Sequence, residues 1–188
     1  QAHYAAALSY NALKQYGEAA DAMKLAVGLD PRFQGDRQLA EMKERERRQA
    51  RAAALLLKAT TALDVQNDAG VALENADEAV EADPKNVAAL RIRGRSLARL
   101  GRLDEAFEAF DRADERAREA DGAGDAESLC RAAELAQHVA GDRKRAMAYL
   151  ERALAIEKQS SYVRYARARH LYLRGAFDAA LKEAEALG

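Results

Sequence analysis

Three arginines, Arg91, Arg95 and Arg99, recur every four residues in the middle of the chain. On a helix that spacing places them in one stripe on one face. A guanidinium is planar, permanently charged and able to donate two parallel hydrogen bonds to one carboxylate, so the stripe suits recognition of acidic groups. Other chemistry is thin. His3, His138 and His170 stand in no metal-ligand spacing. Cys130 and His138 fall on one predicted helix, about 12 Å apart along its axis, too far for a nucleophile and its base to touch. Neighbouring carboxylates such as Asp104–Glu105 and Asp114–Glu115 diverge on a helix surface. There is no glycine-rich phosphate loop and no Gly-x-Ser-x-Gly elbow. The expectation is a chain with no catalytic residue, no metal and no cofactor, hence not an enzyme.

Composition describes what must hold such a stripe in place. The 188 residues are 49% hydrophobic and 32% charged, with a net charge of -1, 11 Gly, 2 Pro and 1 Cys. Ala, Leu, Glu, Arg, Lys and Gln dominate, and these are the strongest helix formers, while β-branched and aromatic residues are scarce. An all-α fold is expected. One cysteine excludes a disulfide scaffold and a zinc finger. No apolar run reaches the roughly 18 residues of a bilayer span. The near-zero net charge gives no global reason to bind nucleic acid or an anionic membrane. The chain begins at Gln1 without a signal-peptide pattern and reads as an excerpt of a longer protein. The cytoplasm is the expected compartment, which a lone cysteine permits.

Five segments align without gaps on one pattern. Each has an Ala near the start of a helix: Ala19, Ala72, Ala106, Ala146 and Ala180. In the first four a second Ala follows seven residues on, at Ala26, Ala79, Ala113 and Ala153; Leu187 takes that place in the fifth. The spacings are 53, 34, 40 and 34 residues, which is a 34-residue period with 19 extra residues before the second repeat and 6 before the fourth. Each repeat reads as two helices. In the third, helix A covers roughly Val87 to Leu100 and helix B roughly Leu103 to Glu119. Gly101, Gly141 and Gly175 close the first helices of their repeats by taking the left-handed conformation. Pro31 and Pro84 follow helix B of repeats one and two. The paired alanines let helices approach closely, and Leu97, Leu100, Leu103, Phe107 and Phe110 fill the space between them.

These residues resemble the tetratricopeptide repeat (TPR) family. The resemblance rests on Gly94, Leu97, Gly101, Leu103, Ala106, Phe110 and Ala113 in repeat three. Ala72, Ala76, Ala79 and Pro84 carry it in repeat two, and Leu171, Gly175, Phe177 and Ala180 in repeat five. Repeat one departs from it, with Lys14 where the family has Gly. The family's Trp is absent from every repeat, Leu56, Leu90, Cys130 and Arg164 standing there instead. The pentatricopeptide RNA-binding repeats share the period, but the Ala and Pro placement favours the TPR. The implied fold is an α-solenoid with a right-handed superhelix. The expected layout is repeat one at 1–33, an inserted charged helix at 34–52 running into the next helix, and repeat two at 53–86. Repeat three follows at 87–120, a short loop with repeat four at 121–160, and an uncapped repeat five at 161–188.

The resemblance also implies a concave groove lined by the A helices and holding a segment of another protein. Its residues would be Arg91, Arg95 and Arg99 from repeat three, Arg131, Leu135 and His138 from repeat four, and Tyr162, Tyr165, Arg169 and Tyr172 from repeat five. Repeat two would add Leu57, Thr61 and Asp64. A basic, aromatic groove of this kind calls for an acidic partner segment. The stripe's self-repulsion needs carboxylates from a ligand or from helix B, where Asp111 and Glu115 are candidates. The carboxylate clamp of chaperone-tail binders is not matched. Tyr4, Leu8 and Lys58 (or Ile92) stand at clamp places, and Arg91 and Arg95 replace its Lys–Asn pair.

In the larger insertion Asp36 is a candidate N-cap, and no Gly or Pro interrupts Arg37 to Asn67. One helix of about thirty residues, ~45 Å long, is the simplest expectation, with a break near Gln49 into two helices as the alternative. Leu39 and Met42 would pack on repeat one, while Lys43 to Arg51 would be solvated. The smaller insertion, with Gly122 and Gly124, reads as a short flexible loop before a helix capped by Asp125. Cys130 is expected to be a buried structural thiol. Two alternatives to an interaction scaffold stay open: a structural module that self-assembles through its repeat ends or the charged helix, and a regulatory domain of a larger protein.

Overall fold

A computed structural model describes residues 2–13, 15–29, 35–158 and 160–186. Among them there are ten α-helices and no strand. The chain divides into two compact units, Gln1–Ala54 and Leu55–Gly188.

The first unit holds α1 (Ala2–Ala12), α2 (Tyr16–Leu29) and the beginning of α3 (Gly35–Asp64). Small residues dominate its core: Ala7, Ala19, Ala20, Ala22, Met23 and Met42 are buried together, with Leu39 against them. Gln38 donates to the Tyr4 hydroxyl (3.3 Å) and Arg45 to Asn11 Oδ1 (3.0 Å), fastening α3 to α1. The side chains from Lys43 to Arg48 are all exposed, as the lack of apolar residues there demands. α3 is one helix of 30 residues, so the inserted segment and the first helix of repeat two are continuous. Asp36 lies within it rather than ahead of it. Its side chain, like Lys14, Pro31 and Leu187, lies outside the described residues.

The second unit takes in the rest of α3 with α4 (Ala69–Ala82), α5 (Val87–Arg99), α6 (Leu103–Asp121) and α7 (Ala126–His138). It continues with α8 (Arg143–Ile156), α9 (Ser161–Leu173) and α10 (Phe177–Glu185). These stack as antiparallel pairs. Ala72, Ala79, Ala106, Ala113, Ala146, Ala153 and Ala180 are all buried, which is what their small size is for. Gly94 shows how close the approach is. A Cβ there would lie 2.7 Å from the Phe110 ring, so the pair Gly94–Phe110 fits only as it stands. Helix starts are capped by Asp68, Asn86 and Asp142, whose side chains accept from backbone N–H groups at 2.9–3.0 Å. Gly101, Gly141 and Gly175 have φ of 75°, 68° and 78°, the left-handed turn expected of them, and Asn67 does the same after α3 with φ 54°.

The loop between α6 and α7 is held rather than flexible. Asp114, buried on α6, accepts the backbone N–H of Asp125 at 3.0 Å and the Arg152 guanidinium at 2.6 Å. Asp125 occupies the N-cap place of α7 but makes no backbone capping bond. Its carboxylate is taken by Ser128 Oγ and by Arg91. Cys130 is fully buried, and burial pushes its thiol up to about 12, leaving it an inert core atom.

Candidate partner-binding groove

Helix periodicity brings Arg91, Arg95 and Arg99 to one face of α5, and each then meets a neighbouring helix. Arg91 donates to both oxygens of Asp125 (3.0 and 3.1 Å through Nη2) and to Glu127, at the start of α7. Arg95 forms an ion pair with Asp64 at the end of α3, one contact being 3.3 Å. Arg99 donates to the Leu63 carbonyl and to Asn67 Oδ1 (3.1 Å), with Asp64 at 4.0 Å. The stripe is therefore neutralised by adjacent A helices. Asp111, foreseen as a partner from helix B, instead accepts from the Tyr149 hydroxyl (2.9 Å) and Arg152 (3.2 Å). Arg93 also differs from a simple solvated side chain, being paired with Asp77 at 2.6 Å.

Further along, the same face changes character. Arg131 is paired with Glu134 (3.2 Å) and, more loosely, Glu127 (3.9 Å), and lies 5.9 Å from the Tyr162 ring. Burial, with Glu134 nearby, pushes the Tyr162 phenol up to about 12, so it stays a neutral donor. His138, Tyr165, Arg169 and Tyr172 are exposed. Among the described residues Arg169 has no carboxylate partner. The reason is legible in the repeat register. Ala106 and Ala180 are equivalent and 74 residues apart, which makes Arg169 the counterpart of Arg95 and His138 the counterpart of Asp64. The preceding helix that neutralises Arg95 offers Arg169 only an imidazole.

Tyr165, Arg169 and Tyr172 line an open depression of about 630 Å³ whose other wall comes from α10, with Phe177, Leu181 and Ala184. The Tyr172 and Phe177 rings meet edge to face, 5.5 Å between centroids. The α10 side of this depression was not foreseen, because only first helices were expected to line the groove. The signal for it lay in the register: Leu181 and Ala184 stand where repeat three has Phe107 and Phe110. Behind the face sits His170, also outside the expected set. It is 1% exposed, its Nδ1 is 2.6 Å from Gln137 Oε1, and its Nε2 has no partner. Burial, then Arg174, Arg143 and His138, lower its pKa, so the ring is neutral at pH 7.

The tetratricopeptide repeat profile matches residues 56–123, and a second profile of the same description matches residues 1–33. The chain belongs to the tetratricopeptide repeat family. Among solved structures, this TPR chain is similar to a thermophilic TPR protein from Thermus thermophilus. They share 22% identity with a TM-score of 0.59, covering 100% of this chain and 89% of that one. MamA is similar at 16% identity and TM-score 0.57, with 95% and 90% covered. YrrB, described as a TPR protein with an unusual peptide-binding site, is similar at 21% identity and TM-score 0.54, with 89% and 73% covered. At these identities the likeness establishes the fold, an all-α solenoid of antiparallel helix pairs. Among curated proteins none matches. No helix among the described residues is long and apolar enough to cross a membrane.

Proposed function

We propose that this TPR chain is a non-catalytic protein-interaction scaffold. It binds an acidic segment of another protein along the A-helix face of its second unit, and neither nucleic acid nor a cofactor takes part. The family is a scaffold for protein interaction, and YrrB's description supplies a peptide-binding precedent. The observation that carries the reading is the exposed set Tyr165, Arg169 and Tyr172, with His138 and Tyr162 beside it, where Arg169 has no internal carboxylate among the described residues. Tyrosines give stiff contact area at low entropic cost, and a free arginine gives directional recognition of a carboxylate. Arg91, Arg95, Arg99 and Arg131 support this surface mainly by fixing the helices that carry it.

A display library of random twelve-residue segments, selected on the whole chain, tests the reading. Selected segments should be acidic and should lose at least tenfold in affinity on Arg169→Glu. Arg102→Glu, on a solvated turn, should change nothing. Selection of basic segments, or none that responds to Arg169→Glu, would refute it.

A further inference from the structure

Helix α8 opens with three consecutive cations, Arg143, Lys144 and Arg145, and no acid stands in its first turn. The helix dipole favours acids there, and α2, α6, α7 and α10 each supply one. No other repeat has a cation at these three places; repeat three has Leu103, Asp104 and Glu105. Arg145 is used inside the fold, with its guanidinium 3.6 Å from the Phe107 ring centroid. Arg143 and Lys144 are exposed, and among the described residues neither side chain has a carboxylate partner. Arg174, exposed and equally unpaired in the turn after α9, lines one cleft with them. The cleft holds about 650 Å³, and Met147, Ala148 and Glu151 complete its lining. One junction earlier the same place is closed. Phe107, the counterpart of Met147, is buried and stacked on Tyr149, 6.1 Å between centroids. Asp111, the counterpart of Glu151, accepts from Tyr149 and Arg152. In repeat five Glu183 and Ala186 stand where repeat four has Tyr149 and Arg152, and Glu183 is held by Arg164 and Arg167. Neither residue is an aromatic or a cation, so the cleft stays open although repeat five follows.

We propose that the cleft of Arg143, Lys144 and Arg174 binds a phosphorylated side chain of a partner protein, the three cations holding the phosphate oxygens and Met147 and Ala148 packing against the segment that carries it. This adds a second surface to the scaffold reading and does not depend on the A-helix face. Side chains make the site, because Asp142 already takes the backbone N–H of Arg145 at the helix start. Three cations and one carboxylate, Glu151, leave the lining a surplus of two positive charges. A phosphomonoester carries about that charge with the opposite sign near pH 7, and its three terminal oxygens suit two guanidiniums and an ammonium. A single carboxylate would leave most of the surplus unanswered. An anionic membrane is held by clusters of roughly four to eight cations, more than this cleft offers. A single-stranded nucleic acid needs aromatic rings to stack on, and none lines the cleft.

A degenerate peptide library with a fixed central phosphoserine tests the proposal on the whole chain, beside the same library with serine, inorganic phosphate, and vesicles containing phosphatidylserine. Phosphoserine peptides should be selected, and each should bind about tenfold or more tightly than its serine form. Arg143→Glu and Arg174→Glu should each weaken them by a similar factor with the circular dichroism of the chain kept. Glutamate suits the first turn of α8, so loss of binding by Arg143→Glu reports the cleft and not the fold. A second readout lies behind the cleft. Burial, then the charges of Arg174, Arg143 and His138, lower the pKa of His170. A phosphate seated on the two arginines offsets their charge, so the His170 imidazole, followed by NMR, should titrate at higher pH in the complex. Equal binding of the serine and phosphoserine libraries would overturn the proposal. Phosphoserine peptides that respond to Arg169→Glu but to neither Arg143→Glu nor Arg174→Glu would place the phosphate on the A-helix face, overturning the cleft and leaving the scaffold reading standing. Inorganic phosphate bound as tightly as the peptides would assign the cleft to the free anion, and binding to the vesicles alone would assign it to a membrane; either overturns the partner segment.

Discussion

Arg95 on α5 and Arg169 on α9 occupy the same position of repeats three and five, and they have opposite fates. Arg95 is spent on Asp64 inside the protein, whereas Arg169 stands open beside a recess. The two positions share register and residue type. What differs is the neighbour: one preceding helix carries an aspartate, the other a histidine. A basic stripe read from one helix is therefore not yet a binding site, because its charge depends on helices up to 36 residues away in sequence. Along the α5 stripe the carboxylates come from the A helices on either side, Asp64 of α3 and Asp125 and Glu127 at the start of α7.

Removing a cation from each region should separate them most widely. Arg91→Ala leaves the nearly buried Asp125 without its guanidinium and should destabilise the second unit by about 2–3 kcal/mol. Arg169→Ala should cost no more than about 0.5 kcal/mol. Urea unfolding followed by circular dichroism measures both, and equal costs would break the comparison. Gly94→Ala comes next. Forcing a Cβ into the Phe110 ring should cost about 1–3 kcal/mol. At the equivalent place in repeat five an alanine is native, because Ala184 leaves it room.

The two regions should also differ in pH response. The folded state holds His170 neutral, with its pKa lowered by burial and by Arg174, Arg143 and His138. The unfolded chain binds a proton at its ordinary value near 6.5, so stability is complete above that pH and falls as pH drops toward the lower folded value. Hydrogen exchange of α9 amides should accelerate between pH 7 and pH 5, and His170→Gln should remove that change. α5, which carries no histidine, should keep its protection. The smallest effect sharpens the comparison from the other side. His138→Asp restores at repeat five the acid that Arg95 enjoys, and should stabilise by about 0.3–1 kcal/mol as a partly exposed pair. It should also weaken binding of acidic segments. A variant that binds them better would contradict the role given to Arg169.

Much of the architecture was legible in the sequence because repeat positions are set by local rules. Paired alanines mark close approach, glycines mark helix ends, and an uninterrupted run from Arg37 to Asn67 marks one helix. The site was legible only by element. Tyr165, Arg169 and Tyr172 are on an exposed face as spacing implies, but the pairing of Arg91 with Asp125 and Glu127 depends on how α7 is set against α5. Asp125 looked like an ordinary N-cap. Its actual partners come from the way Asp114 fastens the loop and aims the carboxylate at Arg91, and no periodicity encodes that. The recess was missed because it is made by absent bulk: an alanine in place of a phenylalanine reads as nothing until repeats three and five are laid in register.

The central claim is that the α5 arginines belong to the fold and the α9 arginine does not. A double-mutant cycle on Arg91 and Asp125, with Arg91→Ala, Asp125→Ala and the double substitution, tests it most directly. A coupling energy of about 1.5 kcal/mol or more is predicted, the range of close and largely desolvated charge pairs. A coupling below about 0.3 kcal/mol would show that Arg91 is free for a ligand and would contradict the account.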